Sequence, residues 1–541
     1  MATLAEPIVH GKPVESELKT NTLTLFDTTV IATSSVAPAY TLAATAAFLI
    51  VAVGLASPSA ILVGFLPVLC IAIAYYYLNR QDPNCGASYS WVSRTLNPYV
   101  GWVSGWIQLA ANVLFCAAAP LIAGAYTLQL FNSFGWISSD AANDNRLVAV
   151  VGVLWLLLVT FMVARGIRVT ANFQWVLVFI EYLIVLAFAL WAIGKIIGGH
   201  PAANAVSAQW FNPLQLHDLN GLATGSALAV FFFWGWDTAA NVNEESKDAN
   251  ESPGLAGIYS MFILLFIFLV ADSALQSFLS LHAINDPNNQ NDILYFFAQQ
   301  ISGTPLAYLM VLAVLSSTVA TTQTTLLPSS RLTYSMSRDG VFPKAFGTIH
   351  KSWKTPWVGT IISSVLAIIV IALQTTIDSV GSVFANLILD IGLLVALYYG
   401  ITGIACAWAF RKVLLTSVSR FIFAGLSPLL GGIYLLGIGY ALIVPTTLPL
   451  GQSPDWGTSL PIMITVLLGI PLVILAAMTA RSDFFHEKTV SYVLVNGVLA
   501  ASQGGATMEL SGAAAAAALS TPGATADPAA DPAAQSRSSN E

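Results

Sequence analysis

Residues 33–41 read Thr-Ser-Ser-Val-Ala-Pro-Ala-Tyr-Thr, and residues 231–238 read Phe-Phe-Phe-Trp-Gly-Trp-Asp-Thr. Each stretch lies inside an apolar run long enough to cross a bilayer, and each carries a helix breaker. Pro38 has no N–H to return to the carbonyl four residues back, and it pushes Ala37 away from helical angles. Gly235, between Trp234 and Trp236 and followed by Asp237, weakens a helix at a second point. A lone proline or glycine in a membrane helix is commonly a packing kink. Two at interior depth, about 200 residues apart in the 541-residue chain, point to a paired structure.

Working outward, about 20 apolar residues are needed to cross the hydrocarbon core. Such spans fall at 25–54, 58–78, 99–131, 146–166, 171–197, 219–243, 254–281, 304–330, 356–374, 380–410, 420–444 and 459–480. Composition agrees, with 56% hydrophobic and 9% charged residues against about 25% charged in soluble domains. With a cytoplasmic amino terminus, 18 of the 20 Lys and Arg lie inside, and only Arg146 and Lys195 fall outside. The positive-inside rule predicts that asymmetry, and a miscounted span would scramble it.

The first 24 residues are polar and carry no cleavable signal. Residues 482–541 read as a second cytoplasmic tail, largely disordered, because the stretch from about Ser502 is rich in Ala, Pro, Ser and Gly. Cys70, Cys85, Cys116 and Cys406 have no ligand-like spacing, and all six histidines lie in tails, loops or span ends. No HExxH or GxSxG motif occurs, so neither a metal site nor an enzyme is expected.

The breaks fall in the first and sixth spans. If spans one to five (25–197) and six to ten (219–410) are copies of one unit, both breaks occupy equivalent places. Five is odd, so the copies insert with opposite topology, the inverted-repeat arrangement of secondary transporters. The expected fold is an all-α integral membrane protein of twelve transmembrane helices: a five-plus-five core with broken helices 1 and 6, plus two peripheral helices at 420–480. Peptide groups stranded in mid-membrane need protein or a polar cavity around them. Half-helix amino ends attract a carboxylate, and free carbonyls attract an ammonium or a cation.

Five acids fall within spans: Asp27, Glu181, Asp237, Asp272 and Asp390. A charge at the bilayer centre costs about 2.5–3.5 kcal/mol on insertion scales, which makes each a functional candidate. Asp27 stands where a helix cap belongs. Glu181 is ten residues into the fifth span, about 15 Å along a helix and so near mid-depth. It reads as a proton or cation site, or as a structural hydrogen bond. Asp237 reads either as a coupling group or as a tie between helix 6 and its neighbours. Asn112, Ser317 and Thr318 are candidate cavity liners, although buried residues of these types often bond between helices instead.

Three stretches together resemble the amino acid–polyamine–organocation (APC) superfamily, in its bacterial amino acid permease branch. They are 80–106 (RQDPNCGASYSWVSRTLNPYVGWVSGW), 231–254 (FFFWGWDTAANVNEESKDANESPG) and 329–346 (SSRLTYSMSRDGVFPKAF). The resemblance implies a leucine-transporter-like core working by alternating access. It places the substrate carboxylate on the amides of the first break, here Ser34, Ser35, Val36, Ala37, Pro38 and Ala39. It places the amino group on carbonyls around Phe232, Phe233, Trp234 and Gly235, with Trp234 shaping the pocket. Where many members have a glycine-rich first break, this chain has Ser-Ser-Val-Ala-Pro-Ala. Some relatives have a lysine near the position of Glu181, a residue of opposite charge.

The expected function is secondary active transport of amino acids or related amines across the cytoplasmic membrane, coupled to protons, with no cofactor and no nucleic-acid partner. A transport-derived nutrient sensor, and a sodium-coupled or exchange-mode carrier of polyamines, are the alternatives. The identity of the amino acid or amine stays open.

Overall fold

The computed structural model describes residues 16–216, 219–286, 292–375, 380–447, 456–495 and 498–503, with short pieces at 8–9, 12–13, 289 and 506–507. The tail beyond 507, expected to be disordered, lies outside the described residues.

Helices stand over all twelve expected spans. The first expected span is two helices, α1 (Leu25–Val36) and α2 (Pro38–Val53), followed by α3 (Ser57–Gln81). A short α4 (Ser88–Thr95) leads into α5 (Pro98–Ser133), then α6 (Asn145–Arg165) and α7 (Ile167–Ile197). The sixth span is again divided, into α8 (Leu219–Phe232) and α9 (Thr238–Asn241). Next come α10 (Ser252–Phe278), α11 (Thr304–Arg338), α12 (Trp357–Thr375), α13 (Val380–Phe410), α14 (Ser427–Thr447) and α15 (Trp456–Thr479). Among the described residues, eight segments are by themselves long and apolar enough to cross a membrane, and one of these, Leu25–Gln81, holds two of the expected spans.

Local sequence sets the helix starts. Thr24 opens α1 with a capping box: its hydroxyl accepts from the Asp27 N–H at 3.2 Å, while Asp27 accepts from the Thr24 N–H at 2.9 Å. Asp27 also accepts from Trp175 Nε1 at 3.1 Å and pairs with Arg168 at 3.2 Å, so this acid caps α1 and ties it to α7. Asn97 caps α5 with Pro98 in the first helical position.

The packing inverts that of a soluble protein. The run from Ser316 to Thr325 in α11 contains eight Ser, Thr or Gln residues, all buried. Phe161, Phe179, Phe266 and Leu373 on the outside are more than half exposed. Large apolar side chains on the perimeter and hydroxyls in the core suit a hydrocarbon solvent, in which buried hydroxyls and small residues join helices. Helix α11 lies along α5 and α7, α1 contacts α7, α10 and α11, and α13 lies between α5 and α14. Helices α5 and α6 approach closely: a Cβ added to Gly124 or Gly152 would sit 2.2 Å from the Val148 carbonyl oxygen or 2.5 Å from that of Pro120.

One paired element stands where the sequence reading named none. Within the tail expected to be largely disordered, β1 (Val490–Val495) and β2 (Val498–Gln503) pair antiparallel, from Val490 opposite Gln503 to Val495 opposite Val498. The ring of Tyr492 packs 4.8 Å from that of Phe410 at the end of α13. Asn496-Gly497 between two apolar runs is a strong short-range hairpin signal. The Tyr492–Phe410 contact gives the hairpin an apolar surface to rest on.

Candidate functional site: two helix breaks in contact

Helix α1 stops at Val36 because the next donor able to continue it is missing at Pro38. Ala37 between the halves is left-handed, at φ 54° and ψ 71°, a conformation costing about 1–2 kcal/mol for a residue with a Cβ. The Ala37 N–H returns to Thr33 O at 3.2 Å, and the Thr41 N–H to Ala37 O at 2.8 Å. Between them, the Ala39 N–H donates to Glu181 Oε1 at 2.8 Å and the Tyr40 N–H to Ser317 Oγ at 3.0 Å. Ser317 in turn donates to Glu181 Oε1 at 2.7 Å. Glu181 from α7 and Ser317 from α11 therefore cap the amino end of α2 together. Glu181 is fully buried, and among the described residues its Oε2 has no hydrogen-bond partner.

The sixth span ends α8 in two tightened turns, with the Phe233 N–H on Val230 O and the Trp234 N–H on Phe231 O, both at 3.1 Å. Gly235 then takes φ +113°. A Cβ there would lie 2.8 Å from the Ser35 carbonyl oxygen, so only glycine lets the second break touch the first. Ser35 Oγ and Thr238 Oγ1, 3.0 Å apart, join the breaks a second time. The breaks expected at equivalent places in two halves are in direct contact.

The junction is rich in free acceptors. Thr321 Oγ1 donates to Ser35 O at 2.6 Å and Thr41 Oγ1 to Val36 O at 2.7 Å. Among the described residues, nothing donates to the carbonyls of Ser34, Phe232, Phe233 or Trp234. The rings of Phe232 and Phe233 pack away on Phe268, at 4.9 and 5.5 Å, leaving the backbone as their contribution. Trp234 stands edge-on to Phe115 at 5.1 Å, and Phe115 to Tyr40 at 5.6 Å, which forms an aromatic wall.

Asp237 accepts from Tyr399 at 2.9 Å, from Tyr398 at 3.0 Å and from Gln108 Nε2 at 3.4 Å; Tyr398 also receives Trp234 Nε1 at 2.8 Å. It ties the sixth span to α13 and α5. Gln108, Asn112 and Phe115 share a face of α5 by their spacing, and Asn112 Nδ2 is buried without a partner among the described residues. Gln108, Tyr398 and Tyr399 were not singled out from the sequence. The other candidates lie apart. Thr318 Oγ1 returns to Val314 O in its own helix. Asp272 bonds to Ser57 at 2.6 Å. Asp390 is buried on α13, two turns before Tyr398, and among the described residues no hydrogen bond joins it to either break. Ser34 Oγ bonds to Gln174, which reaches Ala320 O at 3.0 Å and so joins α1, α7 and α11.

A second polar cluster closes the face of the bundle that carries Ser16 and Arg481. Arg331 and Glu245 pair through two bonds of 3.0 Å, with both side chains fully buried. Arg338 pairs with Glu244 through bonds of 3.0 and 2.8 Å. Burial alone would raise the Glu244 carboxyl, but the Arg338 guanidinium and bonds from Ser16 and the Cys85 N–H outweigh it and hold Glu244 below its ordinary value. Asn84 accepts from Ser335 at 2.9 Å, Tyr89 donates to Asp339 at 2.8 Å, and Asn243 reaches Asn84 O at 3.1 Å. The Leu23 N–H donates to Glu245 O at 3.0 Å. The three stretches that carry the family likeness thus meet in one cluster.

A family model described as amino acid permease matches residues 23–476. The chain is 26% identical over 363 residues to the low-affinity putrescine importer PlaP of Escherichia coli strain K12, covering 66% of this chain and 74% of that protein. It is 23% identical over 322 residues to the methylthioribose transporter of Bacillus subtilis strain 168, with 58% and 67% covered. It is also 23% identical over 334 residues to the branched-chain amino acid permease BcaP of Lactococcus lactis, with 60% and 70% covered. The chain belongs to the amino acid permease family, and is a multi-pass membrane transporter of amino acids or related amines rather than an enzyme.

Proposed function

We propose that the protein is a proton-coupled importer of the cell membrane, with both termini cytoplasmic, that lodges an amine-bearing substrate at the junction of the two breaks. The Lys and Arg asymmetry supports the orientation. The free carbonyls of Ser34, Phe232, Phe233 and Trp234, with the Trp234 face, supply the attraction for an ammonium group. Asp237, held by three donors, adds fixed negative charge and positions the sixth span.

The observation that carries the coupling is the asymmetric bonding of Glu181: Oε1 takes both donors, and buried Oε2 has none among the described residues. Oε2 is therefore the oxygen that takes up a proton. An ionised carboxylate at the amino end of α2 is favoured by the aligned peptide dipoles, and a neutral carboxyl is held less tightly. Protonation thus loosens the first span from α7 and α11, a switch that alternating access can use.

The test is radiolabelled uptake into proteoliposomes, with putrescine and leucine as probes, with and without an inward proton gradient. Wild-type uptake rises with the gradient, and the Glu181→Gln variant loses that dependence. A variant as gradient-dependent as the wild type would remove Glu181 from the coupling, and a wild type that binds but does not move the probes would mark a sensor.

A further inference from the structure

We infer that Glu181 occupies the anion site at the amino end of α2, so that the carrier takes amines that have no carboxylate. This rests on the reading that the substrate lodges at the junction of the breaks.

The argument is a count of donors. A half-helix amino end attracts anions through its unpaired N–H groups and its dipole. Helix α2 has 16 residues, so its dipole is well developed. Yet no amide from Ala37 to Thr41 is left over. Ala37 donates to Thr33 and Thr41 to Ala37, Pro38 has no N–H, Ala39 donates to Glu181, and Tyr40 donates to Ser317. A substrate carboxylate would have to displace the buried Glu181 side chain. Among the described residues, the remaining donors are the amides of Gly235, Trp236 and Asp237 and the side-chain amide Nδ2 of Asn112; the helix that the three backbone amides open has four residues and little dipole, the Asp237 carboxylate stands beside them, and Asn112 is uncharged and lies at no helix end.

Charge points the same way. Among the described residues, no Lys, Arg or His pairs with Glu181 or Asp237. A substrate carboxylate would bring a third acidic group to a site with no cation among the described residues. A primary ammonium instead meets free carbonyls and the Trp234 face, and supplies the missing positive charge. The substrate class is accordingly a primary mono- or diamine.

Matched pairs that differ by one carboxylate test this in the full-length protein: putrescine against ornithine, cadaverine against lysine, isoamylamine against leucine, and phenethylamine against phenylalanine. Competition for uptake and thermal stabilisation are the readouts. In the wild type, the tightest-binding pair favours its amine over its amino acid by at least about tenfold. Glu181→Ala frees the Ala39 N–H, and the amino acid of that pair gains on its amine by a similar factor. Glu181→Gln keeps an acceptor at the Oε1 position but removes the acid, so the amino acid of that pair gains on its amine by less than in Glu181→Ala, a readout separate from the proton-gradient response. Amine selectivity without any gradient response would therefore sink only the coupling role. An amino acid that matches or beats its amine in the wild type overturns the inference, whether or not the variants fold.

Discussion

At the scale of single residues, the site depends on positions where no other side chain fits the geometry. Gly235 combines φ +113° with a backbone approach that leaves 2.8 Å between an added Cβ and the Ser35 carbonyl oxygen. Gly235→Ala is expected to cost about 1–2 kcal/mol from the dihedral alone, and more from the clash, because the obstacle is backbone. The variant should melt several degrees lower in detergent and lose at least about tenfold of its initial uptake rate; a Tm and rate equal to wild type would mean that the breaks do not touch. Pro38, Gly235 and Glu181 were legible in the sequence because each conflicts with its local context: a breaker in a long apolar helix, or an acid at mid-depth. Tyr398, Tyr399 and Gln108 were not legible. A tyrosine in a membrane helix is locally ordinary, and its bond to Asp237 spans 161 residues of chain. Ser317 was singled out together with Thr318 as a cavity liner, but which hydroxyl of its run reaches Glu181 was not legible. Its neighbours Ser316 and Thr318 look identical in sequence, but their hydroxyls return to their own helix while that of Ser317 meets Glu181 and Tyr40.

At the scale of elements, the cluster between α11 and the loop after α9 fixes how the first and sixth spans end. The fully buried Arg331–Glu245 pair holds two charges out of water, so breaking one side is far worse than removing both. Glu245→Gln should destabilise the protein by about 3–5 kcal/mol, whereas the double change Glu245→Met with Arg331→Met should cost much less. Thermal unfolding of the three proteins checks this, and equal losses for the single and double variants would rule it out. Glu244 adds a pH signature. Its carboxyl is held below the ordinary 4.5, so folding favours its ionised form. That contribution is present in full above about pH 4.5 and disappears as the pH falls through the lower folded value. Glu244→Gln should flatten the acid limb of Tm against pH below about pH 4.5, and an unchanged limb would show that other acids set it. The tail hairpin was missed at this scale although its signal was present. That signal, Asn496-Gly497 beside the apolar run Val490–Val495, is short, and the Ala- and Pro-rich composition that follows it dominates the tail.

For the whole molecule, the sequence was most informative because the solvent imposes its own composition on every span. Helices stand over all twelve apolar runs, and their perimeter is apolar while their centre holds hydroxyls, amides and acids. This inversion makes a prediction that a soluble bundle would not. Phe179 is 68% exposed on α7, two residues from Glu181 and therefore at similar depth, but on another side of the helix. In water an exposed Phe→Arg change is nearly neutral. At a hydrocarbon-facing mid-depth position it should oppose insertion by about 2.5–3.5 kcal/mol, lowering the amount of protein recovered in membranes severalfold. Phe134→Arg is the control, since Phe134 is 59% exposed but follows the last residue of α5, where an arginine reaches polar surroundings and should be tolerated. Equal recovery of the two variants would mean that α7 does not face lipid. Glu181 would then lie at no particular depth, and its buried carboxylate would lose the low-dielectric setting that makes one proton matter to the position of an entire helix.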